Sequence, residues 1–313
     1  MNKTKCPLMD DEEKLVVSKC VEALLKHGDY WYDPCRKSYF NYTQRFWREI
    51  PVEVFHKRLL MLLGDLATKR VRDEIVSSLT TRISTTSNSD IELPKGLINL
   101  ENGVLEVNSG DLLPHSKDYY FFNAVPIEYD VSKQCPKWES FLDEVMLGKS
   151  DLIDLLQEMF GYCLIPGNWQ QVAFILYGEG ENGKSVLLEV LRNLLGISNT
   201  SALSLSDISS QFRRIELHNK YANICDESPT GKAIEADTFK NLVSGGVVVA
   251  EQKFKPAFSF YNLAKLIFST NSVPHVKDHT HAFYRRLIVV PFDYRVSPEK
   301  KDKQLAQKLL EEL

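Results

Sequence analysis

Residues 178–185 read GEGENGKS, a full match to the pattern GxxxxGK[ST], and the surroundings of this octapeptide limit the fold more than any other feature. Before it runs QVAFILYG, a continuous apolar stretch of the kind found in a strand buried on both faces; after it comes KSVLLEVLRNLLG, apolar at helical spacing. Strand, glycine loop and helix in that order open an α/β core with a parallel sheet. Glycines let the backbone curl so that successive N–H groups point inward at an anion, and the positive end of the following helix reinforces them. The loop Gly178, Glu179, Gly180, Glu181, Asn182, Gly183, Lys184 and Ser185 is thus a candidate phosphate cradle. Gly183 allows close approach, Lys184 reaches the β and γ phosphates of a nucleotide, and the Ser185 hydroxyl completes a Mg²⁺ shell. The alternative, an ordinary glycine turn, does not account for the buried strand and the helix on either side.

Composition narrows the partners. The chain of 313 residues carries 42 acids against 38 bases, a net charge of −4, so it does not coat nucleic acid by bulk positive charge; a polyanion must be held by a local patch. The six cysteines, Cys6, Cys20, Cys35, Cys135, Cys163 and Cys225, form no CxxC pair, and His115, His275, His279 and His281 are dispersed, which argues against a metal finger or a disulfide scaffold. With no long uncharged apolar run and no signal-peptide pattern, the expectation is a soluble, cytoplasmic protein without a membrane partner.

The length suggests two domains, and texture places their limits. Residues 12–27 are helical in period, the aromatic stretch YWYDPCRKSYFNYTQRFW reads as a hairpin turning at Asp33–Pro34, and 52–83 return to helical period. A linker-like run at 84–90 closes a small α+β domain, 1–90. Residues 91–165 form a strand and helix collar: GLINLENGVLEV and YYFFNAVPIEYD read as short strands, and Pro136 to Cys163 as a helical region. Residues 166–313 form the α/β core, ending in the amphipathic LAQKLLEEL. Residues 36–82 hold ten Lys and Arg against five Asp and Glu, so this part is locally basic; its aromatics either face nucleic acid or build the small domain's own core.

Forty-two positions after Lys184, the strand-like YANIC ends in Asp226 and Glu227. Two acids delivered by a strand beside a phosphate loop form a Walker B arrangement: Asp226 orients a Mg²⁺-bound water and Glu227 polarises the attacking water as general base. In isolation the same pair is the start of a solvated loop. LAKLIFSTN ends in Asn271, an amide able to hold the lytic water, and RRLIVVPF begins at Arg285–Arg286, where an arginine can reach a neighbour's phosphates; alone, these are a turn former and a strand-flanking base.

The order of these motifs resembles the superfamily 3 helicases, and most closely the helicase part of phage, plasmid and poxvirus primase-helicases of the D5-like type. The segments that carry the likeness run from NGVLEVNSGDLLPHSKDYYFFNAVPIEYD to KLIFSTNSVPHVKDHTHAFYRRLIVVPF, about residues 95–293. The resemblance implies an AAA+-like P-loop NTPase core, three-layer α/β/α with a mainly parallel sheet, that assembles as a ring, usually a hexamer, and hydrolyses ATP with Mg²⁺ to draw a single DNA strand through its channel. It puts Lys184 and Ser185 on Walker A, Asp226 and Glu227 on Walker B, Asn271 on the sensor and Arg286 on the arginine finger, with Arg285 a close rival. It puts VVVAEQKFKPAFSF on a channel hairpin, whose tip Lys253, Phe254 and Lys255 offers two ammonium groups around an aromatic face, suited to any strand.

Family members commonly carry a primase-polymerase module upstream. Asp90 and Glu92 are the one candidate metal pair in the first 95 residues and lie in linker-like sequence, so primase activity is not expected here, although such a module is expected in a longer parent chain. The reading is an ATP-dependent helicase or translocase of phage, virus or plasmid replication; the alternatives are a P-loop small-molecule kinase and an ATP-binding loader ring that does not unwind.

Overall fold

The computed structural model describes residues 8–9, 15–34, 36–85, 91, 94–227, 235–251, 257–271, 280–297, 299 and 301–313. The chain forms two compact units, Met1–Glu92 with Ser116–Phe122, and Leu93–His115 with Asn123–Leu313.

The first unit packs α1 (Val17–Leu25), α2 (Glu53–Leu63) and α3 (Lys69–Arg82) on a sheet of β1 (Tyr30–Asp33), β2 (Ser38–Tyr42), β3 (Trp47–Ile50) and β4 (Ser84–Thr85), in the order β3-β2-β1-β4. β1, β2 and β3 are antiparallel neighbours, and β4 pairs parallel with β1. Side chains alternate across β1: Tyr30 and Tyr32 join the helix-side core of Cys20, Val21, Leu24, Phe55, Leu59, Ile75 and Leu79, whereas Trp31 turns to the other face with Phe40 and Trp47. That second face is covered by the 116–122 segment. Trp47 donates its backbone N–H to Phe121 O at 2.7 Å and its indole N–H to Lys117 O at 2.9 Å, while Tyr120 and Phe122 lie against Trp31. The aromatics of the basic stretch therefore mostly build this unit's own core. The helical period over 52–83 resolves into two helices because Gly64, at φ +54°, ends α2, and the Thr68 side chain caps α3.

The second unit begins with a small antiparallel sheet of β5 (Leu97–Asn99), β6 (Val104–Glu106) and β7 (Leu112–Leu113). The aromatic run 119–130, expected as strand, is not one: Lys117–Tyr119 is a short 3-10 turn and no strand follows, because its side chains are divided between the cores of the two units. The expected single helical region is α4 (Pro136–Val145) and α5 (Ser150–Leu164), broken at Leu147 and Gly148, both at positive φ. Pro136 starts α4, and the Glu312 carboxylate accepts from Lys137 N and Trp138 N at 3.1 and 3.0 Å.

The main sheet holds β8 (Ala173–Tyr177), β9 (Thr200–Ser201), β10 (Ala222–Cys225), β13 (Lys265–Thr270) and β14 (Leu287–Pro291) in the order β14-β8-β13-β10-β9, every pair parallel. Between these strands lie α6 (Lys184–Leu195), α7 (Gln211–Arg214), α8 (Ala236–Val243), the hairpin β11 (Val247–Ala250) and β12 (Phe258–Tyr261), and α9 (His281–Tyr284); α10 (Leu305–Leu310) follows. Phe174, Leu176, Ile224 and Ile267 face a core shared with α4, α5, α6 and α10, whereas Ala173, Ile175, Leu266 and Phe268 face one shared with α8, α9 and the hairpin. The unit is thus a three-layer α/β/α arrangement, and α4 and α5 of the expected collar share its core. No described helix is long and apolar enough to cross a membrane.

Lys265, the first residue of β13, is fully buried. Its ammonium donates to Ile165 O at the end of α5 and lies 5.0 and 5.4 Å from the ring centres of Tyr162 and Trp169. Burial pulls its pKa down to about 7, whereas the unfolded chain keeps the ordinary value near 10.5. Between those pH values the unfolded chain holds a proton that the folded one lacks, so this group weakens the fold fully below about pH 7 and not at all above about 10.5. The stability gap between Lys265→Met and wild type, from urea denaturation, should therefore shift in wild type's favour by up to about 1.4 kcal/mol per pH unit as pH rises from 7 to 10. A gap independent of pH would contradict the assignment.

Candidate active site

Parallel strands deliver their C-terminal ends to one edge of the sheet, where ligands of such sheets bind. β8 runs into the glycine loop, and Gly178 donates its N–H to Thr270 O at 3.2 Å, so the loop's first residue neighbours Asn271 at the tip of β13. On the other side of β13 lies β10, with Cys225 opposite Phe268, and it delivers Asp226 and Glu227 to the same edge. Loop, amide and acids come from three adjacent strands. Asn271, Asp226, Glu227 and Ser185 are all exposed there.

The loop itself is built for close approach. Gly180, Glu181 and Gly183 have φ of +100°, +49° and +90°, turning the backbone into a concave run. A Cβ on Gly183 would lie 2.7 Å from Val145 Cγ1, and one on Gly178 would lie 2.6 Å from Phe292 O. Glu181 tolerates its conformation with two anchors: its carbonyl accepts from Val296 N at 2.8 Å, and its carboxylate pairs with Lys301 at 2.7 Å, which lowers the carboxyl's pKa.

Lys184 is folded into this concavity rather than extended into water. Its ammonium donates to Gly178 O at 2.6 Å and to Asn182 Oδ1 at 2.9 Å, and Asn182 Nδ2 donates to Phe292 O at 3.2 Å. Burial lowers its pKa from the ordinary lysine value. A cation held by two neutral oxygens keeps its full charge uncompensated, which is the condition for attracting an anion. The donor set fits a nucleotide phosphate with Mg²⁺: the backbone of a concave loop, one buried ammonium, a hydroxyl and two acids at the rim.

Arg192 escaped the motif reading. Eight residues after Lys184 on α6, it places Nη2 2.7 Å from Asp226 Oδ2 and 3.2 Å from Ile224 O. The signal for it was the helical period, which returns positions 184 and 192 to nearby faces.

The two arginines lie elsewhere. Arg286 O accepts from Ala173 N at 2.8 Å, at the start of β8, so the pair sits at the sheet edge opposite the loop, a strand length of about 17 Å away. The Arg286 guanidinium donates to Ser244 Oγ at 3.3 Å and to Ala282 O, whereas Arg285 is exposed. Burial and the adjacent Arg285 charge lower the pKa of Arg286. β11 and β12 pair antiparallel as expected, with Val247 opposite Tyr261; the tip residues Lys253, Phe254 and Lys255 lie outside the described residues, as do Asp90, Glu92, His275, His279, Cys6 and Cys35. Among the described residues no cluster of His, Cys, Asp and Glu has metal-site geometry, and Cys135, Cys163 and Cys225 are free thiols.

Comparison with known proteins gives two family matches. Residues 19–147 match a family described as D5 N terminal like, and residues 176–286 match a family of unknown function, DUF5906. Over residues 19–147 the chain is thus similar to D5 N terminal like proteins. It is 28% identical over 207 residues to "Putative helicase L207/L206" of Acanthamoeba polyphaga mimivirus, covering 63% of this chain and 22% of that protein. It is 25% identical over 248 residues to "Putative helicase 184R" of Invertebrate iridescent virus 6, covering 69% and 25%. The chain thus spans about a quarter of the length of these relatives. Its fold is that of the solved NrS-1 C terminal region, with a TM-score of 0.66 at 14% identity over 99% of this chain and 67% of that one. The D5 match starts at residue 19, ahead of the segments near residue 95 where the sequence likeness begins.

The loop geometry separates two glycines by cause. Gly180→Ala meets only the cost of positive φ, since nothing lies within 4 Å of its added methyl, whereas Gly183→Ala adds a collision with Val145. Gly183→Ala should lower stability by about 2 kcal/mol more than Gly180→Ala in thermal or urea melts. Equal losses would contradict the collision.

Proposed function

We propose that this chain is the ATPase part of a replicative DNA helicase or translocase, an AAA+-like P-loop enzyme that works as a ring, with six copies the expected number, on single-stranded DNA. The observation that carries this reading is the convergence of cradle, acids and amide from β8, β10 and β13 on one sheet edge. In it, the loop N–H groups and Lys184 bind the ATP phosphates, Ser185 and Asp226 hold the Mg²⁺ that neutralises developing charge, Glu227 takes the proton of the attacking water, and Asn271 orients that water. Lys184 exchanges Gly178 O and Asn182 Oδ1 for phosphate oxygens, and those two acceptors keep it aligned until then.

The arginines support assembly. A group at the opposite edge of the sheet does not reach its own cradle, so Arg286 or Arg285 serves catalysis only by entering a neighbouring subunit's site. This favours a ring motor over a small-molecule kinase, whose phosphate-clamping arginines act within one subunit. Lys253 and Lys255, which the chain carries between β11 and β12, would grip phosphates and Phe254 a base; six copies of two lysines put about twelve charges in one channel despite the net charge of −4.

Turnover stimulated by single-stranded DNA tests the reading. Lys184→Ala and Glu227→Gln should each lower it by about 100-fold or more. A mixture of Lys184→Ala chains with Arg286→Ala chains should recover part of the activity that each lacks alone, because some interfaces then combine an intact cradle with an intact arginine; no recovery, with Arg285→Ala chains equally inert in the mixture, would refute action between subunits. Lys253→Ala with Lys255→Ala should keep basal turnover and lose its response to DNA, and an unchanged response would remove the hairpin from the DNA path.

A further inference from the structure

The Arg192 guanidinium has two acceptors, the Asp226 carboxylate at 2.7 Å and Ile224 O at 3.2 Å, and the pair lies at the open rim of the site, with side chains 24% and 44% exposed. Asp226 therefore already has a cation at one oxygen. The same carboxylate is the one that the proposed nucleotide site needs for a Mg²⁺-bound water. Two cations claiming one carboxylate compete, and the occupancy of one subtracts from the affinity of the other. Exposure keeps the ion pair weak, so it exchanges readily. The second acceptor matters as well: when Asp226 turns away, Ile224 O still holds the guanidinium at the end of β10, so Arg192 is not left without a partner.

We propose that Arg192 is a tethered counter-ion of Asp226, which occupies the carboxylate in the nucleotide-free chain and yields it when magnesium and nucleotide enter. This rests on the proposed nucleotide site. Arg192 is a positioning residue: it acts through Asp226 and sets the magnesium concentration at which the site loads. A helix two turns beyond the loop thereby reports on the acids, since α6 starts at Lys184 and carries Arg192.

The test is a magnesium titration of the binding of a fluorescent ATP analogue to the full chain, followed in parallel by melting temperature with ATP. Arg192→Met removes the charge and Arg192→Lys keeps it; Arg192→Gln, which retains a donor for Ile224 O, makes the same comparison should the Met variant fold poorly. The midpoint of the magnesium titration should fall about two- to fivefold for Met and Gln and stay within about twofold of wild type for Lys. An unmoved or raised midpoint in both charge-removing variants overturns the proposal, and so does magnesium-free binding of the analogue to wild type that both variants weaken, which would make Arg192 a nucleotide ligand. Wild-type binding that Lys184→Ala does not weaken overturns the nucleotide site itself and the inference with it, whereas a Lys184-dependent site with an unmoved midpoint sinks the inference alone.

Discussion

The position of β13 between β8 and β10 governs the second unit. All six of its residues are buried, and it pairs in parallel with both neighbours. Were β8 and β10 direct neighbours, Asn271 would have no place between the glycine loop and the acids. Insertion of β13 also fixes depth: Thr270 accepts the N–H of Gly178, so the loop leaves the sheet level with the amide. At its other end Lys265 joins the strand to the end of α5, and the desolvated ammonium accepts the cost of burial for a helix-terminal carbonyl and two aromatic faces. One strand thus carries an anchor at its start and a polar tip at its end.

Edge strand β9 shows how a short element is held without a long ladder. It has two residues, and the buried Asn223 side chain on β10 continues the pairing: Oδ1 accepts from Leu203 N at 2.7 Å and from Ser201 Oγ at 2.9 Å, and Nδ2 donates to Leu203 O at 2.8 Å. An amide replaces the missing backbone groups. This is why an asparagine stands in an otherwise apolar strand, and it keeps the end of β10 in register for the acids.

The strand–loop–helix unit was legible because its signals are local: a strand apolar on both faces, glycines where φ must be positive, and a helix of clear period. The acids and the amide were legible as strand ends, although their adjacency depends on strand order, which residues far apart in the chain decide. The run 119–130 misled because aromatic and β-branched residues mark burial as well as pairing; Tyr120 and Phe122 fill the core around Trp31 without a strand partner. The break between α4 and α5 lay in Leu147–Gly148, where a single glycine in an apolar helical pattern is a weak stop. Arg192 carried no motif, and its pairing exists only once α6 folds back along β10.

Four basic side chains of the second unit share one property. Lys184 rests on two neutral oxygens, Arg192 on Asp226 and a carbonyl, Arg286 on Ser244 and a carbonyl, and Lys265 on a carbonyl and two rings. Each of these side chains has lost part of its water. Partial desolvation raises the gain from a stronger acceptor, while the resting contacts lower the cost of waiting for it. For Lys265, fully enclosed, no exchange is open and the role is structural. For Lys184 and Arg192, at an edge open to solvent, binding in the proposed reading is exchange of acceptors in prearranged positions. A net charge of −4 and the proposed phosphate cradle are therefore compatible: affinity for an anion resides in a few positioned donors rather than in bulk charge.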